Sequence, residues 1–250
     1  MTPRRAIILA AGKGTRMNSD LPKVLCKVLG KSMLEHVLDR LAETGVLQPL
    51  IVVGYRAELV KQQLAGRYDV VFVEQQQQLG TGHAVQVCEP QLRGTQGPLL
   101  VLTGDSPLIQ QASLEQLYAY YESHQAACVM GTLQSANPAG LGRIVRDSAG
   151  EFTAIVEYRD ATPQQREIRE VNMSTYLFDI ERLCFALAQL TNSNEQREYY
   201  LTDCPGILRA AGEHVAALDI LQPCEALSVN TAEDLQEVEK KMKELGYPNA

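Results

Sequence analysis

The chain has 250 residues, enough for one large α/β domain with its own core or at most two small ones. Its 45% hydrophobic and 21% charged residues are those of an ordinary globular protein. A net charge of −7 argues against a general nucleic-acid binder, yet leaves room for one cationic pocket that takes a small anion. Five basic residues (Lys13, Arg16, Lys23, Lys27 and Lys31) and one acid, Asp20, fall between Gly12 and Lys31, so positive charge gathers near a glycine-rich loop. The six cysteines, Cys26, Cys88, Cys128, Cys184, Cys204 and Cys224, form no C-x-x-C pair. That argues against a zinc ribbon or dithiol centre and for reduced, partly buried thiols in the cytoplasm.

Residues 6–10 form an apolar run too short for a signal-peptide core or membrane span, and read as a buried first strand. Apolar residues at 33, 34, 37, 38 and 41 make a helical stripe over 33–44 that stops at Gly45. Then come a strand at 50–53, a helix at 57–64, a strand at 70–73, a helix at 82–88, a strand at 99–102 and a helix at 113–122. This alternation predicts a Rossmann-like α/β fold: a mostly parallel mixed sheet with helices on both faces. The second half breaks the rhythm. Segments 143–146 and 152–157 flank Asp147-Ser148-Ala149-Gly150 as a hairpin, followed by a strand at 171–178, a helix at 180–190 and a strand at 215–220. The expected organisation is a single domain over 1–250. Its core spans about 1–135 and 205–230, a small, partly antiparallel lobe about 136–204, and a C-terminal helix 231–246. Thr231-Ala232-Glu233-Asp234 resembles a capping box, after which Leu235, Val238, Met242 and Leu245 line one helical face. Neither low-complexity linkers nor internal repeats interrupt the chain.

A strand that runs into Gly12-Lys13-Gly14-Thr15-Arg16 suits phosphate, because glycine lets the backbone approach and turn its N–H groups toward an anion. The spacing is neither a Walker P-loop nor the dinucleotide fingerprint, whose third glycine is here Met17. Asp105 follows the strand at 99–102. At that edge an aspartate can be a hard-oxygen metal ligand or a plain turn residue. Lys23 reads as a phosphate group or a solvated charge, Gln75 as a base reader or a solvated loop residue, and Glu157 as a sugar-gripping carboxylate or a strand-edge acid.

The string Leu9-Ala10-Ala11-Gly12-Lys13-Gly14-Thr15-Arg16-Met17, followed by Leu21-Pro22-Lys23, resembles the signature of nucleoside-diphosphate-sugar pyrophosphorylases. Further motifs follow in order: Gln78-Leu79-Gly80-Thr81-Gly82-His83-Ala84, Gly104-Asp105-Ser106-Pro107-Leu108, Gly142-Arg143-Ile144, Ile155-Val156-Glu157 and Glu198-Tyr199-Tyr200-Leu201-Thr202-Asp203. Together they are similar to the uridyltransferase domains of bacterial bifunctional N-acetylglucosamine-1-phosphate uridyltransferases, over about residues 5–230. The resemblance implies the nucleotide-diphospho-sugar transferase fold, with the partly antiparallel lobe holding the sugar. It implies uridylyl transfer from UTP to an N-acetylhexosamine 1-phosphate, giving UDP-N-acetylglucosamine, a cell-wall precursor, and pyrophosphate. Mg²⁺ is the implied cofactor; UTP and the sugar 1-phosphate are the implied partners, with no nucleic acid and no membrane.

It also implies roles for individual residues. Arg16 serves the pyrophosphate end and Lys23 the reacting phosphates, with Lys13 in support. Gln75, Gly80 and Thr81 read uracil, assisted by the backbone of Leu9, Ala10, Ala11, Gly12 and Gly14. Gly142, Glu157 and Asn172 hold the amino sugar, while Asp105 and Asn230 ligate the metal. His83 is read as structural, and Tyr199, Thr202 and Asp203 as shaping the lobe. The sequence departs from the family at Thr103, where tyrosine is usual, and at Asn172-Met173-Ser174, where Asn-Thr-Gly is usual. No hexapeptide repeats are present, so no acetyltransferase activity is expected. Two other readings stay open: transfer of another nucleotide or onto another sugar 1-phosphate, and a non-catalytic pyrophosphorylase-like subunit.

Overall fold

A computed structural model of the chain describes residues 3–13, 21–227, 229 and 231–249, so Gly14, Arg16 and Asn230 lie outside the described residues. In chain order the elements are β1 (Arg5–Ala10), β2 (Lys27–Val28), β3 (Lys31–Ser32), α1 (Met33–Glu43), β4 (Leu50–Val53), α2 (Ala57–Leu64), β5 (Val71–Glu74), α3 (Thr81–Gln86), α4 (Glu89–Leu92) and β6 (Pro98–Thr103). They continue as α5 (Gln111–His124), β7 (Cys128–Gln134), β8 (Gly142–Arg146), β9 (Phe152–Val156), α6 (Pro163–Arg166), β10 (Glu170–Asp179), α7 (Ile180–Leu187), α8 (Cys204–Ala210), β11 (Val215–Asp219) and α9 (Ala232–Glu244).

The main sheet runs β11-β7-β10-β6-β1-β4-β5, with the β8–β9 hairpin attached to β10. β6, β1, β4 and β5 are parallel, as are β11 and β7; β10 is antiparallel to both of its neighbours in the path. Successive side chains of a strand point to opposite faces. Ile7, Val52, Val101 and Tyr176 therefore join one core with α3, α4, α7 and α8. Ile8, Ile51, Leu100 and Leu177 join the other with α1, α2 and α5. Burial on both faces is why these strands read as unbroken apolar runs rather than as alternations.

The structure corrects several details of the sequence reading. The helix expected at 82–88 is two short helices, α3 and α4, parted by Val87 and Cys88. That expected at 180–190 stops at Leu187. β7, α8 and the β2–β3 hairpin had no counterpart in the expectation. The hairpin turns through Leu29 (φ 50°) and Gly30 (φ 88°), the paired positive φ of a tight two-residue turn. Ser32 then caps α1 reciprocally with Glu35. On α9, Thr231 and Asp234 do form the capping box. Val238 and Met242 are buried against β2, Met33 and Leu108, whereas Leu245 is exposed. Five of the six free cysteines are buried, and burial raises the Cys88 thiol to about 12, so it stays protonated near neutrality. Among the described residues no helix is long and apolar enough to cross a membrane.

Candidate active site

The parallel strands β1, β4, β5 and β6 all end at one edge of the sheet, where open α/β sheets hold ligands. Loop backbones tie these ends together. Tyr55 N–H donates to the Ala11 carbonyl at 3.0 Å, Gln75 N–H to Val53 at 2.8 Å, and Gly104 N–H to Leu9 at 2.9 Å. Leu9, Ala10, Ala11, Gly12, Gln75, Gly104 and Asp105 are thereby gathered on one rim. Gly54 must be glycine: an added Cβ would lie 3.0 Å from both the Cβ and the carbonyl of Ala11 and 3.2 Å from the Gln75 carbonyl.

Pro22 starts a 3-10 turn, Lys23–Leu25, whose Val24 and Leu25 are buried. Val24 packs where a Cβ on Gly104 would come within 3.2 Å of it. This contact brings Lys23 to the end of β6, where its ammonium lies 2.6 Å from Asp105 Oδ2; both side chains are partly exposed (15% and 27%). Thr103, one residue before Gly104, shares a 2.7 Å hydrogen bond with the Ser106 hydroxyl across the same turn. Lys13 extends its ammonium to 5.5 Å from the Tyr55 ring, beside Arg56 at 5.8 Å. Among the described residues no three His, Cys, Asp or Glu side chains cluster in a way that could hold a metal ion.

Gln75 is 4% exposed, not a solvated loop side chain. Its Nε2 donates to the Gly80 carbonyl and to His83 Nδ1, each at 3.0 Å. Gln78 Nε2 donates to the Ala11 carbonyl at 2.9 Å, joining this loop to the glycine-rich one. Gly80 has φ 108°, and a Cβ there would lie 2.6 Å from the Tyr199 carbonyl. The contact is close because Tyr199 N–H donates to Leu79 and Gly82 N–H to Tyr199, while the Thr81 hydroxyl accepts from Leu201 N–H at 3.1 Å. Thus 79–82 and 199–201 form one unit.

Gly142, Asn172 and Glu157 come together on the hairpin side. Gly142 pairs with Asn172 across β8 and β10. A Cβ on Gly142 would lie 3.6 Å from that of Asn172 and 3.7 Å from Glu157 Oε1. Asn172 Nδ2 donates to the Tyr176 hydroxyl at 2.7 Å, and its Oδ1 accepts from Ser174 N–H at 3.2 Å. Met173 and Ser174 are extra residues in a bulge that separates the part of β10 paired with β8 from the part paired with β6. Ser174 takes φ 54°, the left-handed region, which accounts for glycine being usual there in the resembling family. Burial pushes the Glu157 carboxyl above the usual carboxylate range; the Thr202 hydroxyl, 3.1 Å away, partly opposes this, and Asp160, Asp203 and Glu198 add to it. Arg143 is buried, with no carboxylate partner among the described residues. Its guanidinium donates to the carbonyls of Pro138 and Arg166 and so holds the turn before Gly142 to α6. The sequence reading gave Gln78, Arg143 and Tyr176 no role; Gln78 and Arg143 stand in the motifs that begin at Gln78 and Gly142, and no motif pointed at Tyr176.

A glycine-rich loop after β1, a lysine–carboxylate pair at β6 and a polar cluster beside an antiparallel hairpin are the parts of a nucleotidyltransferase. Residues 6–200 match the MobA-like NTP transferase domain family, and the chain belongs to that family. Among curated proteins it is 48% identical to the bifunctional protein GlmU of Streptococcus sanguinis (strain SK36) over 238 residues, 95% of this chain and 51% of that one. To the GlmU of Streptococcus suis (strain 98HAH33) it is 46% identical over 243 residues, 97% of this chain and 52% of that one. The chain thus spans about half the length of the curated relatives it matches. A crystal structure of UDP-glucose pyrophosphorylase complexed with UDP-glucose shares the fold, with a TM-score of 0.79 at 18% identity, covering 98% of this chain and 100% of that one.

Proposed function

We propose that the chain transfers a uridylyl group from UTP to N-acetylglucosamine 1-phosphate, giving UDP-N-acetylglucosamine and pyrophosphate. The observation that carries the proposal is the Lys23–Asp105 pair at the end of β6, which in the strand order lies between the Gln75–Gly80 loop after β5 and the Gly142–Asn172 pair beside β10. The likeness to GlmU over 95% of this chain supports the same reading.

In this reading an oxygen of the sugar phosphate forms a bond to the α-phosphorus of UTP. The bond from that phosphorus to the bridging oxygen breaks, and pyrophosphate leaves with the electron pair. The nucleophile is already an anion, so no side chain has to remove a proton. The residues have to bring two polyanions together and stabilise charge in line. Lys23 neutralises the reacting phosphates, and Arg16 and Lys13 serve the leaving pyrophosphate. Gln75, Gly80 and Thr81 hold uracil, and Gly142, Asn172 and Glu157 hold the sugar on the β8–β9–β10 lobe. The backbone of Leu9, Ala10, Ala11, Gly12 and Gly14 lies along the nucleotide.

Mg²⁺ fits the donor set. It binds through one or two carboxylates together with substrate phosphate oxygens and water, and Asp105 offers one partly exposed hard-oxygen carboxylate on the rim. Asp105 and Asn230 would hold the ion, which when bound lowers the charge on the reacting phosphates. Lys23 would then share Asp105 with the ion. Buried free thiols and the absence of a membrane-length helix among the described residues are compatible with work in the cytoplasm.

The experiment is pyrophosphate release from UTP and Mg²⁺ with a panel of sugar 1-phosphates. Turnover with N-acetylglucosamine 1-phosphate above the others, lost in Asp105→Ala, supports the proposal. No pyrophosphate with any of them contradicts it.

A further inference from the structure

The Gln75 side chain is held by two groups that can only accept from it. The Gly80 carbonyl has no hydrogen to give, so the atom of the amide that faces it is the nitrogen, at 3.0 Å. The second N–H of the same nitrogen then meets His83 Nδ1 at 3.0 Å, so Nδ1 carries the lone pair and the ring proton sits on Nε2. Neither acceptor is free to drift. A Cβ on Gly80 would lie 2.6 Å from the Tyr199 carbonyl, and His83 is in α3, whose Gly82 N–H is bonded to that same carbonyl. With both N–H bonds committed, Gln75 presents only its carbonyl oxygen, which accepts no hydrogen bond from any described residue.

We infer that His83 is a positioning residue for base selection: by accepting from Gln75 Nε2 it locks the amide with its oxygen outward. The inference rests on the proposed role of Gln75 as a uracil reader. An outward oxygen can receive the N3–H of uracil. At the same place it meets the lone pair of cytosine N3 and gains nothing. Discrimination therefore depends on which end of the amide faces the base, and a site built around a specific donor rejects a base lacking it. Without His83 the Gly80 carbonyl alone holds the amide, so turning its nitrogen toward the base forfeits one hydrogen bond where wild type forfeits two.

The test is calorimetric titration of UTP and of CTP into the folded protein and two variants. His83→Phe keeps ring bulk and removes the acceptor; His83→Asn keeps an acceptor oxygen near the place of Nδ1. The expected result is that His83→Phe lowers the UTP-over-CTP affinity ratio about tenfold, the effect of one hydrogen bond, and that His83→Asn restores most of it. A wild-type ratio in His83→Phe overturns the inference. So does equal loss in both variants, which would mark a merely structural histidine. If wild type itself does not prefer UTP, the base-reading role of Gln75 fails first and the inference falls with it.

Discussion

The ammonium of Lys23 and the carboxylate of Asp105 meet at 2.6 Å, joining the turn after Pro22 to the end of the central strand of the sheet. Both side chains are partly open to solvent, and ion pairs of that kind contribute only ~0–1 kcal/mol to folding. The pair serves charge placement at the rim more than stability. Lys23→Met and Asp105→Asn are each expected to lower kcat for pyrophosphate release about a hundredfold or more, with the urea midpoint nearly unchanged. The double variant should lose less than the product of the single losses, because in the proposed reaction the two groups act on the same phosphates. A large fall in midpoint with kcat preserved would assign the pair to folding instead.

Gly80→Ala tests the joint between the 79–82 loop and the 199–201 segment. The new Cβ would lie 2.6 Å from the Tyr199 carbonyl at a residue with φ 108°. Overpacking and backbone strain together predict a loss of about 2–4 kcal/mol. Weaker UTP binding should accompany it, since the carbonyl of Gly80 itself orients Gln75. Gly12→Ala, where nothing lies within 4 Å of the added Cβ, is the contrasting control for stability. Thermal unfolding of both variants with and without UTP makes the measurement.

Ser174 occupies a backbone conformation that suits glycine. Ser174→Gly removes left-handed strain of about 1 kcal/mol but gains flexibility in the unfolded chain of similar size, so its stability should stay within about 0.5 kcal/mol of wild type. Ser174→Val, β-branched at φ 54°, should lose about 2 kcal/mol. Urea denaturation is expected to rank the residues Gly and Ser together, well above Val.

Glu157 predicts opposite effects on stability and function. Burial raises its carboxyl, so the folded protein binds that proton more tightly than the unfolded chain does. Its contribution therefore favours folding below the unfolded value and is lost as pH rises through the higher folded value. Glu157→Gln, neutral throughout, should match or exceed wild-type stability at pH 7, with the difference shrinking toward pH 4. If Glu157 grips the sugar, the KM for the sugar 1-phosphate should rise about tenfold in the same variant. Denaturation at the two pH values and steady-state kinetics check both halves.

The parallel half of the fold was legible because its signals are local. Residues 50–53 and 57–64 were read with the bounds they have, since a strand buried on both faces is an apolar run and an amphipathic helix has a period. β7 escaped because Cys128-Val129-Met130-Gly131 continues an apolar stretch with a glycine inside it. That glycine answers to a distant contact: a Cβ there would lie 2.7 Å from Leu221. α8 escaped because Pro205 and Gly206 read as breakers, although proline is well suited to a helix's first turn. The site shows the same division. The resemblance names Gln75, Asn172, Asp105 and Lys23, but the pairing of Gln75 with His83, of Asn172 with Tyr176 and of Asp105 with Lys23 is made by side-chain hydrogen bonds and an ion pair that form only in the folded chain.

In the proposed reaction the uridylyl group passes between the loop at Lys23 and the polar cluster at Gly142 and Asn172. Phosphorus NMR of one sample containing the protein, UTP, N-acetylglucosamine 1-phosphate and Mg²⁺ tests it most directly. The triphosphate and monoester signals should fall together while UDP-N-acetylglucosamine and pyrophosphate rise in equal amounts. The Asp105→Asn protein should leave the mixture unchanged over the same interval. Release of inorganic phosphate from UTP without a sugar-nucleotide signal, or equal conversion by wild type and Asp105→Asn, would contradict it.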